Sequence, residues 1–182
     1  MVGASRRTPG ADVILITDAS AEGWACLSFF PATGTMLLLR QGWYGQGRWD
    51  LSTVAEPSAV ARALDWLDTP SGRHHLLRYG QVTLKPRIAL VTDHEPLVTG
   101  QSRWWSHNGG FSLNPVLNRA LQRMHDRGVT AFHIPGALNP ADGPSRTRAD
   151  PALSVTMTKG QIVGPPLKTL SFPFGGKQRM MG

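Results

Sequence analysis

Two short apolar runs, each ending in an aspartate, constrain the fold more than any other feature of the sequence. The first runs from Val13 to Thr17 and stops at Asp18, and the second repeats the pattern from Ile88 to Asp93. Such runs are too short for a helix and are typical of strands buried on both faces. If the two strands are parallel, both carboxylates emerge at the carboxyl edge of one sheet, where open α/β sheets bind ligands. Two like charges in one place require a cation, and Mg²⁺ is the usual partner of bare carboxylates.

The length and the charge of the chain indicate its domain organisation. The 182 residues, 41% of them hydrophobic, are enough for one domain of about 150 residues with a full core. We expect a flexible arm at residues 1–10, a domain at residues 11–148 and an extended basic tail with prolines and glycines at residues 149–182. The net charge of +7 indicates a polyanionic partner, but four basic residues without any acid follow Pro151, and the rest of the chain carries only +3.

Cysteine content and hydropathy exclude several classes of protein. Cys26 is the single cysteine, so the chain has no internal disulfide and no cysteine-based zinc site. No apolar run approaches the length of about 18 residues that a membrane span needs. The first residues also lack the apolar stretch of a secretory signal. We therefore expect a soluble, intracellular protein without a membrane partner, and the choice between nucleus and cytoplasm stays open.

Hydrophobic periodicity predicts most of the remaining elements. Two strands, Trp24–Phe30 and Met36–Leu39, follow the first strand so closely that the three are expected to be antiparallel neighbours. Apolar residues at helical spacing predict one helix after Ser52 and a second over residues 113–124. A further strand is expected at Val129–Ile134.

The start of the first helix has two interpretations. Thr53 and Glu56 have the spacing of a capping box, which makes Glu56 a capping acid in the first turn. Pro57 favours a later start, because proline is best tolerated at the first helical position. The segment Thr69–Lys85, which follows this helix, is interpreted as a loop.

Basic and aromatic residues in the second half of the chain are candidates for nucleic-acid contacts. Arg103 precedes a pair of tryptophans that begins at Trp104, and these rings either stack on bases or pack under a loop. Arg119, Arg123 and Arg127 recur every four residues on one face of the second predicted helix. That row fits either a track for phosphates or a solvated helix face.

The order of these elements, together with their motifs, resembles the ribonuclease H domain that follows the reverse transcriptase of retroelements. The motifs are Thr17-Asp18-Ala19-Ser20 with Gly23-Trp24, Glu56 ahead of an alanine-rich helix, Thr92-Asp93-His94, Ser112-Leu113-Asn114, and His133-Ile134-Pro135-Gly136 with Asn139, Ala141-Asp142 and Ser145-Arg146. The last block is the most specific and is similar to that of DIRS-type and gypsy-type elements. The resemblance spans Val13 to Arg146. It implies an α/β fold whose five-stranded mixed sheet has three antiparallel strands, two parallel additions and flanking helices.

The resemblance also implies a catalytic site. By this resemblance, Asp18, Glu56, Asp93 and Asp142 form an acidic tetrad that holds two Mg²⁺ ions, or Mn²⁺ in their place, with Asp18 bridging both. Two such ions, roughly 4 Å apart, clamp a scissile phosphate, and they activate a water and stabilise the leaving 3′ oxygen. The implied reaction is endonucleolytic hydrolysis of the RNA strand of an RNA–DNA hybrid.

The contacts with the hybrid are implied in the same way. Telling RNA from DNA requires contacts to the 2′-hydroxyl, for which Ser20, Asn114 and Asn139 are the candidates. The candidates for phosphate contacts are Arg103, Trp104, Arg119 and Arg123. The implied protein partner is a reverse-transcriptase polymerase domain, in the same chain or separate from it.

Two other readings use the same fold. A ribonuclease H-like module can bind nucleic acid without cutting it. Gly143-Pro144 departs from the helix-friendly pattern of retroelement relatives and predicts that Asp142 lies on a looser segment. Integrase-type nucleases carry their acids in the order Asp, Asp, Glu. Here Glu56 comes second, which argues against the integrase type.

Overall fold

The computed structural model describes residues 10–82, 85–106, 113–146 and 150–158, except for the side chains of residues 104–106. The strands in this part of the chain are β1 (Val13–Ala19), β2 (Gly23–Phe30), β3 (Thr35–Gly42), β4 (Ile88–Thr92), β5 (Thr130–His133) and β6 (Ser154–Met157). The helices are α1 (Ser52–Leu67), α2 (Pro70–Gly80), α3 (Glu95–Ser106), α4 (Pro115–Asp126) and α5 (Asp142–Ser145), with a 3₁₀ turn at Gly136–Leu138. None of the helices in the described ranges combines the length and the apolar character needed to cross a membrane.

The strands form one mixed sheet in the order β5-β4-β1-β2-β3-β6. The pairs β1–β2, β2–β3 and β3–β6 are antiparallel, whereas β4 and β5 are added in parallel beside β1. The α/β class and the mixed sheet flanked by helices are confirmed, and this arrangement is compatible with a ribonuclease H-like fold. The expected count of five strands is wrong, because the described residues contain six.

The sixth strand lies inside the segment that the sequence predicts to be an extended tail. β6 pairs with β3 so that Val155 is opposite Leu39 and Met157 is opposite Leu37. Without β6, the backbone N–H and C=O groups along the outer edge of β3 would be unpaired, and an unpaired edge favours addition of a further strand. The ordered sheet therefore extends beyond the predicted domain end at residue 148. The rest of the predicted tail, from residue 159, and the predicted arm up to residue 9 lie outside the described residues.

Burial of β1 on both faces places the acidic residues at one edge. Val13 and Leu15 pack into the larger core, under the helices, and Ile14 and Ile16 pack into a second core on the opposite face of the sheet. All four side chains are at most 4% exposed. The parallel register pairs Ile16 with Val91 on β4, so both strands end at the same edge, as the sequence predicts.

Helix α1 begins at Ser52, whereas Pro57 as the first helical residue would have placed its start five residues later. No side chain caps its N-terminus. Its N-cap residue is Leu51, so the predicted capping box of Thr53 and Glu56 is wrong. Glu56 lies within the helix and is turned toward the sheet, where its Oε1 accepts a hydrogen bond from the backbone N–H of Ala19 at 3.2 Å. A side chain bound to the sheet cannot also cap its own helix.

Pro57 lies inside α1 and leaves one helical carbonyl without its usual donor. That carbonyl belongs to Thr53, and it accepts a hydrogen bond from Asn114 Nδ2 at 2.9 Å. Asn114 Oδ1 accepts from the backbone N–H groups of Val116 and Leu117 at 3.0 and 3.4 Å, which caps α4. Asn114 therefore joins the start of α4 to the first turn of α1, which precedes Glu56.

Three helices fall where the sequence predicts none. The predicted loop Thr69–Lys85 contains α2, which Thr69 caps through a hydrogen bond from the N–H of Gly72 and which has Pro70 at its first position. Helix α3 begins at Glu95, two residues after Asp93, and α5 begins at Asp142, in the segment predicted to be looser. Few of the described side chains on α2 are buried, so its hydrophobic pattern is weak. The Thr-Pro pair is the local signal that predicts its start.

We expect Asn114→Ala to lower the free energy of unfolding by about 1–2 kcal/mol, because it removes the cap of α4. Asn114→Asp keeps an acceptor oxygen for the cap and loses only the donor to Thr53, so its loss is expected to be smaller. Urea denaturation followed by circular dichroism measures both. Equal losses in the two variants would contradict a contribution from the cap.

An acidic cluster at the carboxyl edge of the sheet

Three carboxylates from three elements converge at the carboxyl edge of β1 and β4. Asp18 lies near the end of β1, Asp93 directly follows β4, and Glu56 projects from the second turn of α1. One carboxylate oxygen of each lies within 4.8 Å of the others. Asp18 is 3% exposed and Glu56 6% exposed, and Asp93 is partly buried. This buried triad has the residue types and the spacing to bind a metal ion.

Glu56 is the most perturbed member of the triad. Its Oε1 is bound by Ala19, but its buried Oε2 has no hydrogen-bond donor among the described residues. Burial, followed by sharing of a hydrogen bond with Asp18, raises the pKa of Glu56 to about 10. A proton is therefore retained between these two carboxyl groups unless a cation replaces it.

The pKa values of the other two members, Asp18 and Asp93, are also raised. Burial raises the pKa of Asp18 to about 6, with the nearby charge of Asp93 adding to the effect. Burial also raises the pKa of Asp93, against the lowering effects of hydrogen bonds that include one from Asn139. The pKa values of all three groups are therefore raised, mainly by burial, and most strongly that of Glu56.

The donor set fits a hard divalent cation. It consists of carboxylate oxygens, which suit Mg²⁺, Mn²⁺ or Ca²⁺ rather than softer metals. The buried Oε2 of Glu56, without a hydrogen-bond donor, is the atom that such a cation would satisfy. The described residues thus provide a candidate metal centre, without specifying the identity of the ion.

Asp142 lies beside the triad but outside its tightest part. It is the first residue of α5, its side chain is 47% exposed, and its Oδ1 accepts a hydrogen bond from Arg146 Nε at 3.2 Å. It is near enough to raise the pKa of Asp18 through a hydrogen bond between the side chains and that of Asp93 through like charge. All four predicted acids therefore reach one edge of the sheet, with Asp142 also paired to a cationic side chain.

Two of the predicted contacts with the 2′-hydroxyl form bonds inside the protein. Ser20 Oγ donates to the carbonyl of Ser145 at 2.6 Å. Asn139 is buried, its Nδ2 donates to the carbonyl of Thr17 at 3.0 Å, and its Oδ1 accepts from the N–H of Ala141 at 2.9 Å. These bonds hold the segment that carries Asp142 against β1. Asn114, the third candidate, bridges α1 and α4 instead.

The predicted phosphate contacts lie on helices α3 and α4. Arg103 is exposed in the last turn of α3, and the side chain of Trp104 lies outside the described residues. Arg119 is exposed on α4, whereas Arg123 forms an ion pair with Asp65 at 3.1 Å. The acidic triad includes none of the four.

Two residues that shape the site are absent from the sequence-based set. Ser145 is 1% exposed, and its Oγ lies 3.5 Å from Asp18 Oδ2. A Cβ at Gly136 would lie 3.2 Å from Asp93 Oδ2, so only glycine leaves this carboxylate its full room. Both residues stand in the quoted motifs, and the Pro135-Gly136 pair after the strand is the signal that could have indicated the close approach.

We expect the metal-free protein to lose thermal stability as the pH rises from about 5 to about 8. The pKa of Glu56, about 10, lies above its ordinary value of 4.5, so in this window the folded state binds more protons than the unfolded state, and stability falls with pH. Added Mg²⁺ or Mn²⁺ is expected to restore the Tm at the higher pH, since the cation replaces the retained proton. Differential scanning fluorimetry in a chelator, with and without the cation, measures both effects.

The matched variants for this measurement are Glu56→Gln and Asp126→Asn. Glu56→Gln is expected to flatten the dependence of the Tm on pH and to weaken the response to the cation. Asp126→Asn removes an exposed carboxylate on α4 and is expected to preserve both. An unchanged pH dependence in Glu56→Gln would contradict the proposed origin of the effect.

We expect Gly136→Ala to weaken binding of Mn²⁺ by about tenfold, because the new methyl group displaces Asp93 from its position. Isothermal titration calorimetry measures the affinity. Gly143→Ala is the control, since a Cβ there would contact nothing within 4 Å. Equal affinity of the two variants would show that Asp93 does not require the space at Gly136.

Comparison with known proteins gives no match, so any assignment of function depends on the residues and the geometry described above. No protein-family model matches the chain, and no curated protein matches its sequence.

Proposed function

We propose that the chain is a metal-dependent endoribonuclease that hydrolyses the RNA strand of RNA–DNA hybrids, as a ribonuclease H-like domain of a retroelement reverse transcriptase. The observation that carries this proposal is the convergence of Asp18, Glu56 and Asp93 within 4.8 Å at the carboxyl edge of the sheet. These acids follow the order of the motifs that resemble ribonuclease H, and Asp142 lies beside them.

The chemistry follows from the charge of the cluster. Divalent cations held by these carboxylates supply activation of a water molecule and stabilisation of the leaving 3′ oxygen. Asp18, Glu56 and Asp93 are the residues that would hold such a cation. Burial keeps the pKa of Glu56 raised, so a bound cation would have to displace the proton of Glu56 before this carboxylate could act as a ligand.

The remaining residues position this machinery. Ser20 and Asn139 hold the Asp142 segment to β1, and Gly136 leaves room for the carboxylate of Asp93. The net charge of +7 supports a polyanionic substrate. A polymerase domain, in the same chain or in another, is the partner that this function requires to supply the hybrid.

One observation favours the alternative of a module that binds nucleic acid without cutting it. The Oδ1 of Asp142 is bound by Arg146, so the fourth carboxylate is already paired with a cationic group. A cation at that position has to compete with Arg146. If it fails to do so, the module retains the fold without turnover.

We expect the protein to cleave the labelled RNA strand of a hybrid in Mg²⁺ or Mn²⁺, and to stop cleaving when a chelator is added. Asp18→Asn is expected to reduce the rate by at least about a hundredfold, because it removes the central ligand charge. Denaturing gel electrophoresis of the labelled strand measures the rate.

Asp126→Asn, which makes the same chemical change at an exposed site, is expected to cleave as the unmodified protein does. Undiminished cleavage by Asp18→Asn would refute the site. Binding of the hybrid without cleavage at any concentration of Mg²⁺ or Mn²⁺ would favour the non-cutting module.

A further inference from the structure

A groove of about 450 Å³ runs along the partly exposed face of α1, away from the acidic cluster. We call it the α1 groove. Its floor includes Pro57, Ser58 and Ala61, and it lies between the loop that follows β3 and the helix α4. Pro57 directly follows Glu56 in the chain, but successive residues of a helix point in directions about 100° apart, and none of the three triad residues lines the groove. Its volume falls in the range of about 300–1,000 Å³ that is typical of ligand sites.

The charge of the α1 groove is positive. Arg62 and Arg119 line it, and neither forms an ion pair with a carboxylate in the described ranges. The described acid in the groove is Asp65, which pairs with Arg123 at 3.1 Å. This pairing neutralises Asp65 and leaves the two other arginines as uncompensated cations.

The loop after β3 presents an aromatic surface that orients Arg62. The rings of Trp43 and Trp49 are stacked, with centroids 4.3 Å apart and planes 6° from parallel. The guanidinium of Arg62 lies 5.2 Å from the centroid of Trp43, 4.8 Å from that of Tyr44 and 5.8 Å from that of Trp49. Cation–π contacts of this kind hold a cation in place without neutralising it. Tyr44 remains 53% exposed.

We infer that the α1 groove binds single-stranded nucleic acid, with phosphates at Arg62 and Arg119 and a base stacked on Tyr44. Free arginines beside an accessible aromatic ring are the combination that binds single strands without sequence preference. A duplex keeps the faces of its bases covered by their neighbours, so the ring of Tyr44 favours unpaired nucleotides. The inference goes beyond the proposed hydrolysis, because binding in the groove requires neither the acidic cluster nor a metal ion.

Fluorescence anisotropy with a labelled oligothymidylate of about 12 nucleotides, in EDTA, tests the inference without any contribution from cleavage. We expect Tyr44→Ala and Arg62→Gln each to weaken binding at least about fivefold. Arg119→Gln is expected to reduce the slope of log affinity against log salt by about one. Since Arg119 is exposed, this variant preserves the fold.

Arg78→Gln is the matched control, because Arg78 also lies over an aromatic ring, at 5.6 Å from Tyr79, but outside the groove. It is expected to retain the affinity of the unmodified protein. Equal weakening by Arg62→Gln and Arg78→Gln, or equal affinity for the single strand and a duplex of the same length, would overturn the inference.

Asp18→Asn separates this inference from the proposed function. It is expected to bind the oligothymidylate as the unmodified protein does, so loss of hydrolysis would not contradict binding in the α1 groove. Absence of binding to the oligothymidylate by a protein that cleaves the hybrid would refute the groove alone.

Discussion

The crowding of carboxylates at one edge of the sheet is the constraint on which the rest of the structure depends. Asp18 and Glu56 are almost fully removed from water and lie within reach of Asp93. Burying such groups costs free energy unless a proton or a cation offsets their charge, and their raised pKa values express that cost. The apolar packing on both faces of β1 stabilises the fold enough to hold the acids there.

Helix α1 connects this cluster to the rest of the molecule. One face turns Glu56 toward β1, and the opposite face forms the floor of the α1 groove. Pro57 has no backbone N–H to donate to the carbonyl of Thr53, and Asn114, at the start of α4, donates to that carbonyl instead. Because Arg119 lies on the helix that Asn114 caps, the acidic cluster and the positive groove are positioned by the same pair of packed helices.

The parts of the fold that are encoded locally could be predicted from the sequence. Apolar runs and short turns determine β1, β2, β3 and β4, since each pattern lies within a few residues and needs no distant partner. The parallel relation of β1 and β4 places Asp18 and Asp93 together, because strands of one direction end at the same edge. The apolar runs by themselves therefore determined where β1 and β4 end and that each end carries a carboxylate, whereas the grouping of Glu56 with them was implied by the resemblance alone.

Tertiary structure decided what depends on residues far apart in the chain. β6 forms because the edge of β3 is available, and no local pattern in residues 154–157 distinguishes a strand from a tail. Glu56 is a member of the triad rather than a cap because the backbone of Ala19 lies within reach of it. Asn139 binds its own segment to β1, rather than a substrate, because the carbonyl of Thr17 lies within hydrogen-bonding distance of its amide. In each case the partner is separated by at least 37 positions along the chain, so only packing of the whole domain brings the atoms within hydrogen-bonding distance.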